Sequence, residues 1–178
     1  LVVASAGGYP KDINLYQTIK LLSNALSAVQ PGGTMILLSR CSEGFGNPDV
    51  ETQIGIVENA LPVAKALGND CPKVAVLSAV ENVTEKMVST VTAAEIAKRG
   101  VPGCIISGPL ALDGAISMES VKHKAIHDPV AGQADILLVP FIEIGNVLYK
   151  ACTYIAGKTM ASTICGASCP VVITSRAD

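Results

Sequence analysis

No stretch of this 178-residue chain approaches the ~18 uninterrupted apolar residues of a membrane-spanning helix, so no span is expected. No basic segment precedes a short apolar run, so no secretory signal is expected either. Runs of Lys and Arg are also missing: 13 basic residues stand against 15 acidic ones, for a formal charge of −2. That balance excludes nucleic acid as the main partner, because neutralising phosphates takes clustered cations. A small anionic ligand needs only a few local cations and stays open. Charged residues are scarce at 16% against 49% apolar, which excludes a disordered polyelectrolyte. The CxxxC of Cys165 and Cys169 has no second pair to complete a zinc ribbon. With Cys41, Cys71, Cys104 and Cys152 these cysteines read as reduced, buried thiols of a cytoplasmic protein. His123 and His127 have a spacing that would let two ligands share a helix face, but no third ligand is evident and no metal is expected. There is no internal repeat and no low-complexity segment. The chain opens at Leu1 inside an apolar run, stops just after another, and reads as a fragment or as a processed or renumbered chain.

What is present is an alternation of two apolar periods. Short, β-branched runs predict buried strands at Leu1–Ala4, Thr34–Leu38, Val74–Leu77, Gly103–Ile106, Ile136–Val139, Met160–Ile164 and Val171–Thr174. Helical stripes lie between them: Leu15, Ile19, Leu22, Leu26 and Val29; Ile54, Val57, Leu61 and Ala64; Ile144, Val147, Leu148, Ala151 and Ile155. Shorter helices are predicted over Thr92–Lys98 and Met118–Lys124, and Pro62 is expected to kink or split its helix. Strands alternating with helices predict a doubly wound α/β fold, Rossmann-like, with a largely parallel sheet and helices on both faces. Ligands of such sheets bind at the carboxyl ends of the strands, near helix N-termini. One domain or two small lobes fit the length, and the one linker candidate is Gly44–Asp49.

Two groups of residues could carry chemistry. The first is the glycine turn Gly7-Gly8 and the helix start after it, where Tyr16, Gln17 and Lys20 point away from the apolar stripe. They read either as a solvated polar face or as ligand contacts. The second lies toward the C-terminus. Arg176 follows a predicted buried strand, and a planar guanidinium holds a phosphate by two parallel hydrogen bonds. Ser175 beside it can donate a hydrogen bond. Glu143, Gly145 and Asn146 open a helix directly after a strand, where they either meet an anionic ligand or merely complement the helix dipole. Asp113 follows an expected Gly108-Pro109 turn near a strand end and reads as a ligand contact or an N-cap.

The phrases Gly108-Pro109-Leu110-Ala111-Leu112-Asp113, Lys122-His123-Lys124, Pro129-Val130-Ala131-Gly132-Gln133-Ala134-Asp135, Glu143-Ile144-Gly145-Asn146 and Thr174-Ser175-Arg176-Ala177-Asp178 occur in one order over about 130 residues. In that order and spacing residues 48–178 resemble the C-terminal part of the phosphate acetyl/butyryl transferases. The resemblance implies transfer of an acyl group between coenzyme A and phosphate, with a CoA thioester as substrate and no permanently bound cofactor. It implies Arg176 as the phosphate holder and Ser175 as the partner of the departing sulfur. By their positions at a helix start and a strand end, Glu143, Gly145, Asn146 and Asp113 are expected as substrate contacts, and a homo-oligomer is expected in which a partner subunit completes the cleft between lobes. Three departures stand out: Asp128 where the family has Ser, Phe141 where it has Asp or Asn, and no room after Arg176 for the aspartate of the acetyltransferase branch.

Residues 1–47 are different. SAGGYPKDINLYQTIK and PGGTMILLSRCSEGFGN resemble the C-terminal domain of the nickel-dependent lactate racemases. That resemblance implies contacts from Tyr16, Gln17 and Lys20 to a 2-hydroxy acid or a nickel-pincer nucleotide. The chain therefore reads as a hybrid with its seam near Gly46–Asp49, either as two segments or as one continuous domain. A non-catalytic hybrid or truncated scaffold is the third reading.

Overall fold

The computed structural model describes residues 2–5, 35–38, 49–166 and 171–172. The chain divides into two compact units, Leu1–Asn47 and Pro48–Asp178. In the first unit β1 (Val2–Ser5) and β2 (Met35–Leu38) pair in parallel, Val2 opposite Met35 and Ser5 opposite Leu38. Tyr16, Gln17 and Lys20, and the helix expected around them, lie outside the described residues.

The second unit runs α1 (Val50–Ala66), β3 (Lys73–Leu77), α2 (Val88–Arg99), β4 (Ile105–Leu110), α3 (Leu112–Ile116), α4 (Met118–His123), β5 (Ile136–Leu138) and α5 (Ile142–Lys150). A π-helical turn, Ala151–Ile155, continues α5. Two short strands follow, β6 (Thr163–Ile164) and β7 (Val171–Val172). The central sheet is parallel throughout, in the order β4-β3-β5. The chain thus steps from β3 to one side and then crosses back to the other. Alternate side chains go to opposite faces, as the strand period requires. Val74, Val76 and Leu138 pack with Val57 of α1 and Ala93 and Ile96 of α2. Ala75, Leu77 and Leu110 pack with Ala115 of α3 and Val121 of α4. Both faces are covered, so the architecture is the doubly wound α/β fold expected of consecutive apolar strands.

Several local expectations need correction. Pro62 does not split α1, which runs unbroken for 17 residues. Its missing N–H costs one bond, while Val57 and Ala64 anchor the helix on both sides of it. Asp49 belongs to that helix as its N-cap: its carboxylate accepts from the Thr52 N–H at 2.7 Å, and this bond draws its pKa down. Gly108-Pro109 is not a turn before Asp113 but lies inside β4. There the register shifts between Ala75 and Leu77, a bulge that spares Pro109 a ladder bond it cannot donate. His127 falls beyond α4, whose C-cap is Lys124 and after which Ala125 turns to φ 50°, so the two histidines do not share a helix face. The apolar stripe expected of α5 is not a buried face: none of its residues is buried, and Ile144, Val147 and Ile155 are 43%, 67% and 86% exposed. The last strands, β6 and β7, pair antiparallel rather than extending the parallel sheet. Cys71 and Cys165 are exposed and Cys104 and Cys152 only half-buried, so these four are not the buried thiols expected.

Helix α2 begins at Val88, four residues earlier than the predicted Thr92. Thr90, fully buried, explains the difference. Its hydroxyl oxygen accepts from the Thr84 N–H at 2.9 Å and lies 3.0 Å from the Thr84 and 2.7 Å from the Met87 carbonyl, to either of which it can donate. Thr90→Val keeps the shape and strands the Thr84 N–H. We expect it to cost about 1–3 kcal/mol, read as a lower midpoint in urea unfolding with unchanged slope.

Candidate functional site

The carboxyl ends of β3, β4 and β5 lie along one edge of the sheet. Each strand hands its chain to a segment that carries polar groups: Ser78 and Glu81 after β3, Asp113 after β4, Glu143 after β5. Because the chain steps from β3 to β4 and then back past β3 to β5, the loops diverge between β3 and β5. A crevice opens at such a switch point. A cavity of about 560 Å³ occupies it. Its walls come from Leu77, Ser78 and Ala79 after β3, Ser89 on α2, Leu112 on α3, Pro140 and Phe141 after β5, and the α5 side chains Glu143, Ile144, Val147 and Leu148. A second cavity, of about 490 Å³, lies at the opposite edge, between α1 and the segments that enter β3 and β5. The carboxyl edge is the one where open parallel sheets place their ligands.

Most of the crevice wall is hydrocarbon. Its polar groups are the two serines and Glu143. The hydroxyls of Ser78 and Ser89 are 2.9 Å apart, and Ser78 also lies 3.7 Å from the Met87 sulfur. Two hydroxyl protons serve one O···O bond and one weak sulfur acceptor, so one proton is readily given up to a stronger acceptor. These serines were missed by the sequence reading. The available signal was a serine directly after a buried strand, at Ser78.

The sequence-derived site residues divide. Glu143 lines the crevice in the first turn of α5, exposed, where its charge complements the helix N-terminus. Gly145 has a packing reason: a Cβ there would lie 3.2 Å from Val139 Cγ2. Asn146 is exposed on α5 and is not part of the crevice wall. Asp113 is not an N-cap. Ala111 holds that position in α3, and Asp113 sits one residue inside the helix. Its carboxylate accepts from Lys124 Nζ at 3.0 Å, and Lys124 also donates to Glu81 at 2.9 Å. This triad ties the loop after β3 to α3 and α4, beside the crevice. Ser175 and Arg176 lie outside the described residues.

Other quoted phrases serve the scaffold. Asp135 accepts from the Lys73 N–H at 2.8 Å and returns its own N–H to the Lys73 carbonyl at 2.8 Å, while Gln133 accepts from Lys73 Nζ at 2.8 Å. Together they clasp the start of β5 to the start of β3, far from the carboxyl edge. Asp128, the departure from Ser, accepts from the N–H groups of Val130 at 2.8 Å and Ala131 at 3.2 Å, a local turn role that a serine hydroxyl also fills. Burial pushes the Cys104 thiol up, which disfavours the thiolate a nucleophile requires. Among the described residues no group of three or more His, Cys, Asp or Glu converges as a metal site, and no helix is long and apolar enough to cross a membrane.

The Lys124 hydrogen bond is the main reason Asp113 titrates below the usual 3.8. A depressed folded pKa stabilises the fold above the unfolded value and is lost as pH falls through the folded one. Wild-type protein is therefore expected to lose a small stability advantage over Asp113→Asn only below about pH 3.8. Paired thermal melts at pH 3 to 6 check this; a constant difference in melting temperature across that range would contradict it.

The profile of the phosphate acetyl/butaryl transferases matches residues 11–178. A "Probable phosphate butyryltransferase" of Bacillus subtilis is 52% identical over 135 residues, covering 74% of this chain and 45% of that protein. The phosphate butyryltransferase of Clostridium beijerinckii is 42% identical over 172 residues, covering 94% of this chain and 57% of that one. Among solved structures, a branched-chain phosphotransacylase from Enterococcus faecalis superposes with a TM-score of 0.70 at 46% identity, over 74% of this chain and 49% of that chain. The chain spans about half the length of the curated relatives it matches.

Proposed function

The chain belongs to the phosphate acetyl/butaryl transferase family, and from that premise we propose that it moves an acyl group between coenzyme A and inorganic phosphate. The observation that carries the reading is the crevice at the switch point of the parallel sheet. It combines a hydrocarbon wall with a serine hydroxyl proton that an acceptor can claim. The reaction needs little covalent chemistry from the protein. A phosphate oxygen attacks the thioester carbonyl carbon, the C–S bond breaks, and the electron pair leaves on the CoA thiolate. In this proposal Arg176 grips the phosphate through two parallel hydrogen bonds and Ser175 donates to the departing sulfur. Glu143, at the crevice lip, accepts an amide N–H of the pantetheine arm, with Gly145 and Asn146 on the same helix turn. Asp113, held by Lys124, orients the α3 side of the crevice. No permanently bound cofactor takes part, and the active unit is a homo-oligomer in the cytoplasm. Alignment of the reactants supplies on the order of 7 kcal/mol of the barrier reduction when the geometry is good. Incubation with butyryl-CoA and phosphate, with thiol release followed by a chromogenic reagent, tests the proposal. Thiol release no faster than that of a Ser175→Ala, Arg176→Ala double variant would remove it.

A second reading concerns residues 1–47, for which the division into compact units at Asn47/Pro48 is the favouring observation. On this reading the first unit is a lactate-racemase-like segment whose Tyr16, Gln17 and Lys20 face a 2-hydroxy acid or a nickel-pincer nucleotide, and the chain is a hybrid. The family match from residue 11 onward weighs against it. Nickel analysis of the purified protein discriminates: protein without nickel and without lactate racemisation leaves the transferase reading alone.

A further inference from the structure

We propose that Ser78 donates a hydrogen bond to the thioester carbonyl oxygen and stabilises the negative charge gained there as phosphate attacks, with Ser89 as the positioning residue behind it. This rests on the acyltransferase reading and adds a catalytic donor to it. In that reading Arg176 holds the phosphate and Ser175 meets the sulfur, which leaves the carbonyl oxygen to the crevice wall. When the bond from phosphate oxygen to carbon forms, the π pair of the carbonyl moves onto its oxygen. The pair returns as the C–S bond breaks and the thiolate leaves. A donor aimed at that oxygen lowers the barrier without giving up its proton.

Among the described residues of the crevice wall, Ser78 and Ser89 alone bring side-chain donors; the rest is hydrocarbon, apart from Glu143, a carboxylate that accepts. Both serines sit on fixed backbone. Ser78 follows β3 directly, and its N–H donates to the Leu110 carbonyl at 2.9 Å. Ser89 is the second residue of α2, next to the buried Thr90 that ties the start of that helix to Thr84 and Met87. The two hydroxyl oxygens are 2.9 Å apart, and the Ser78 hydroxyl lies 3.7 Å from the Met87 sulfur. With Ser89 donating to Ser78, the Ser78 proton is left with a sulfur, a weak acceptor that a carbonyl oxygen displaces. Accepting from Ser89 also polarises Ser78 and makes it the better donor. The first turn of α2 holds no acidic residue and no side chain caps it, so the positive end of its dipole adds to the same effect.

The test is steady-state thiol release from butyryl-CoA with phosphate, for wild type, Ser78→Ala, Ser89→Ala, the double variant and Ser89→Thr. Calorimetric titration with free CoA accompanies each. Ser78→Ala is expected to lose about 10²-fold in kcat. Its KM for butyryl-CoA and its Kd for CoA are expected to stay within about twofold of wild type, because the lost bond belongs to the transition state. Ser89→Ala is expected to lose about tenfold, the worth of one hydrogen bond. The double variant is expected to match Ser78→Ala, since Ser89 acts only through Ser78. Ser89→Thr keeps a hydroxyl and is expected to recover most of the rate. A fall in kcat matched by an equal loss of CoA affinity would mark a structural role and overturn the proposal. So would a double variant slower by the product of the two single losses, or a Ser89→Thr as slow as Ser89→Ala. Wild-type kcat in Ser78→Ala overturns the donor and keeps the transferase reading; no thiol release from wild type removes both.

Discussion

Arg176→Ala is expected to lower kcat/KM for thiol release from butyryl-CoA by about 10²–10³-fold, with phosphate as acceptor. The physical reason is positional as well as electrostatic. A phosphate anion in water is free to tumble and well solvated. A guanidinium fork holds two of its oxygens in a plane, so that a third faces the carbonyl carbon. Arg176→Lys separates the two contributions. It keeps the charge but loses the second parallel bond, so it is expected to recover only part of the rate, with a raised KM for phosphate. Initial rates over a phosphate series at fixed butyryl-CoA provide the measurement. If Arg176→Ala retained wild-type kcat/KM, or if lysine restored it fully, the fork would have no role in the reaction.

Gly108→Ala is expected to destabilise the second unit by about 1–3 kcal/mol without touching a site residue. A Cβ on Gly108 would come within 2.8 Å of Val76 Cβ and 2.9 Å of the Val76 carbonyl oxygen. Neither can retreat easily. Val76 is buried in the central strand, and its carbonyl belongs to the backbone of the sheet. The register of the β3–β4 ladder shifts beside this contact, between Ala75 and Leu77. At this chain length the loss corresponds to a melting temperature lower by about 2–12 °C. Gly100→Ala offers the comparison, because nothing lies within 4 Å of its missing Cβ and only its φ of 70° is unfavourable. Equal melting temperatures for wild type and Gly108→Ala would show that the contact relaxes without cost.

The parallel sheet was legible because burial on both faces leaves a mark in composition. Val74, Ala75, Val76 and Leu77 are apolar on consecutive positions, and each strand is followed by a helical period. Local hydrogen-bond chemistry was harder to see. The early start of α2 depends on Thr90 closing a loop through Thr84 and Met87, and nothing in the spacing of threonines announces that. Gly108-Pro109 reads as a turn by its residue types, yet a bulge accommodates both inside β4. Gln133 and Asp135 lie in one of the family-like phrases yet clasp β3 to β5, because residue type alone does not say whether a polar side chain serves chemistry or the scaffold.

By itself the sequence determined the class of fold and, through ordered phrases, the family; it also pointed to the carboxyl edge of the sheet as the expected place for a ligand. These follow from periodicity and from short, contiguous patterns. Tertiary structure decided which polar groups share that edge. Ser78 and Ser89 are brought to 2.9 Å by the packing of α2 on β3, and Lys124 finds Glu81 across 43 positions of chain. It also decided that the crevice between β3 and β5 is walled by hydrocarbon, since Leu77, Leu112 and Phe141 meet only when β4 and β5 flank β3 on opposite sides. Contacts between residues distant in the chain are set by strand order, and strand order is a property of the whole sheet rather than of any segment in it.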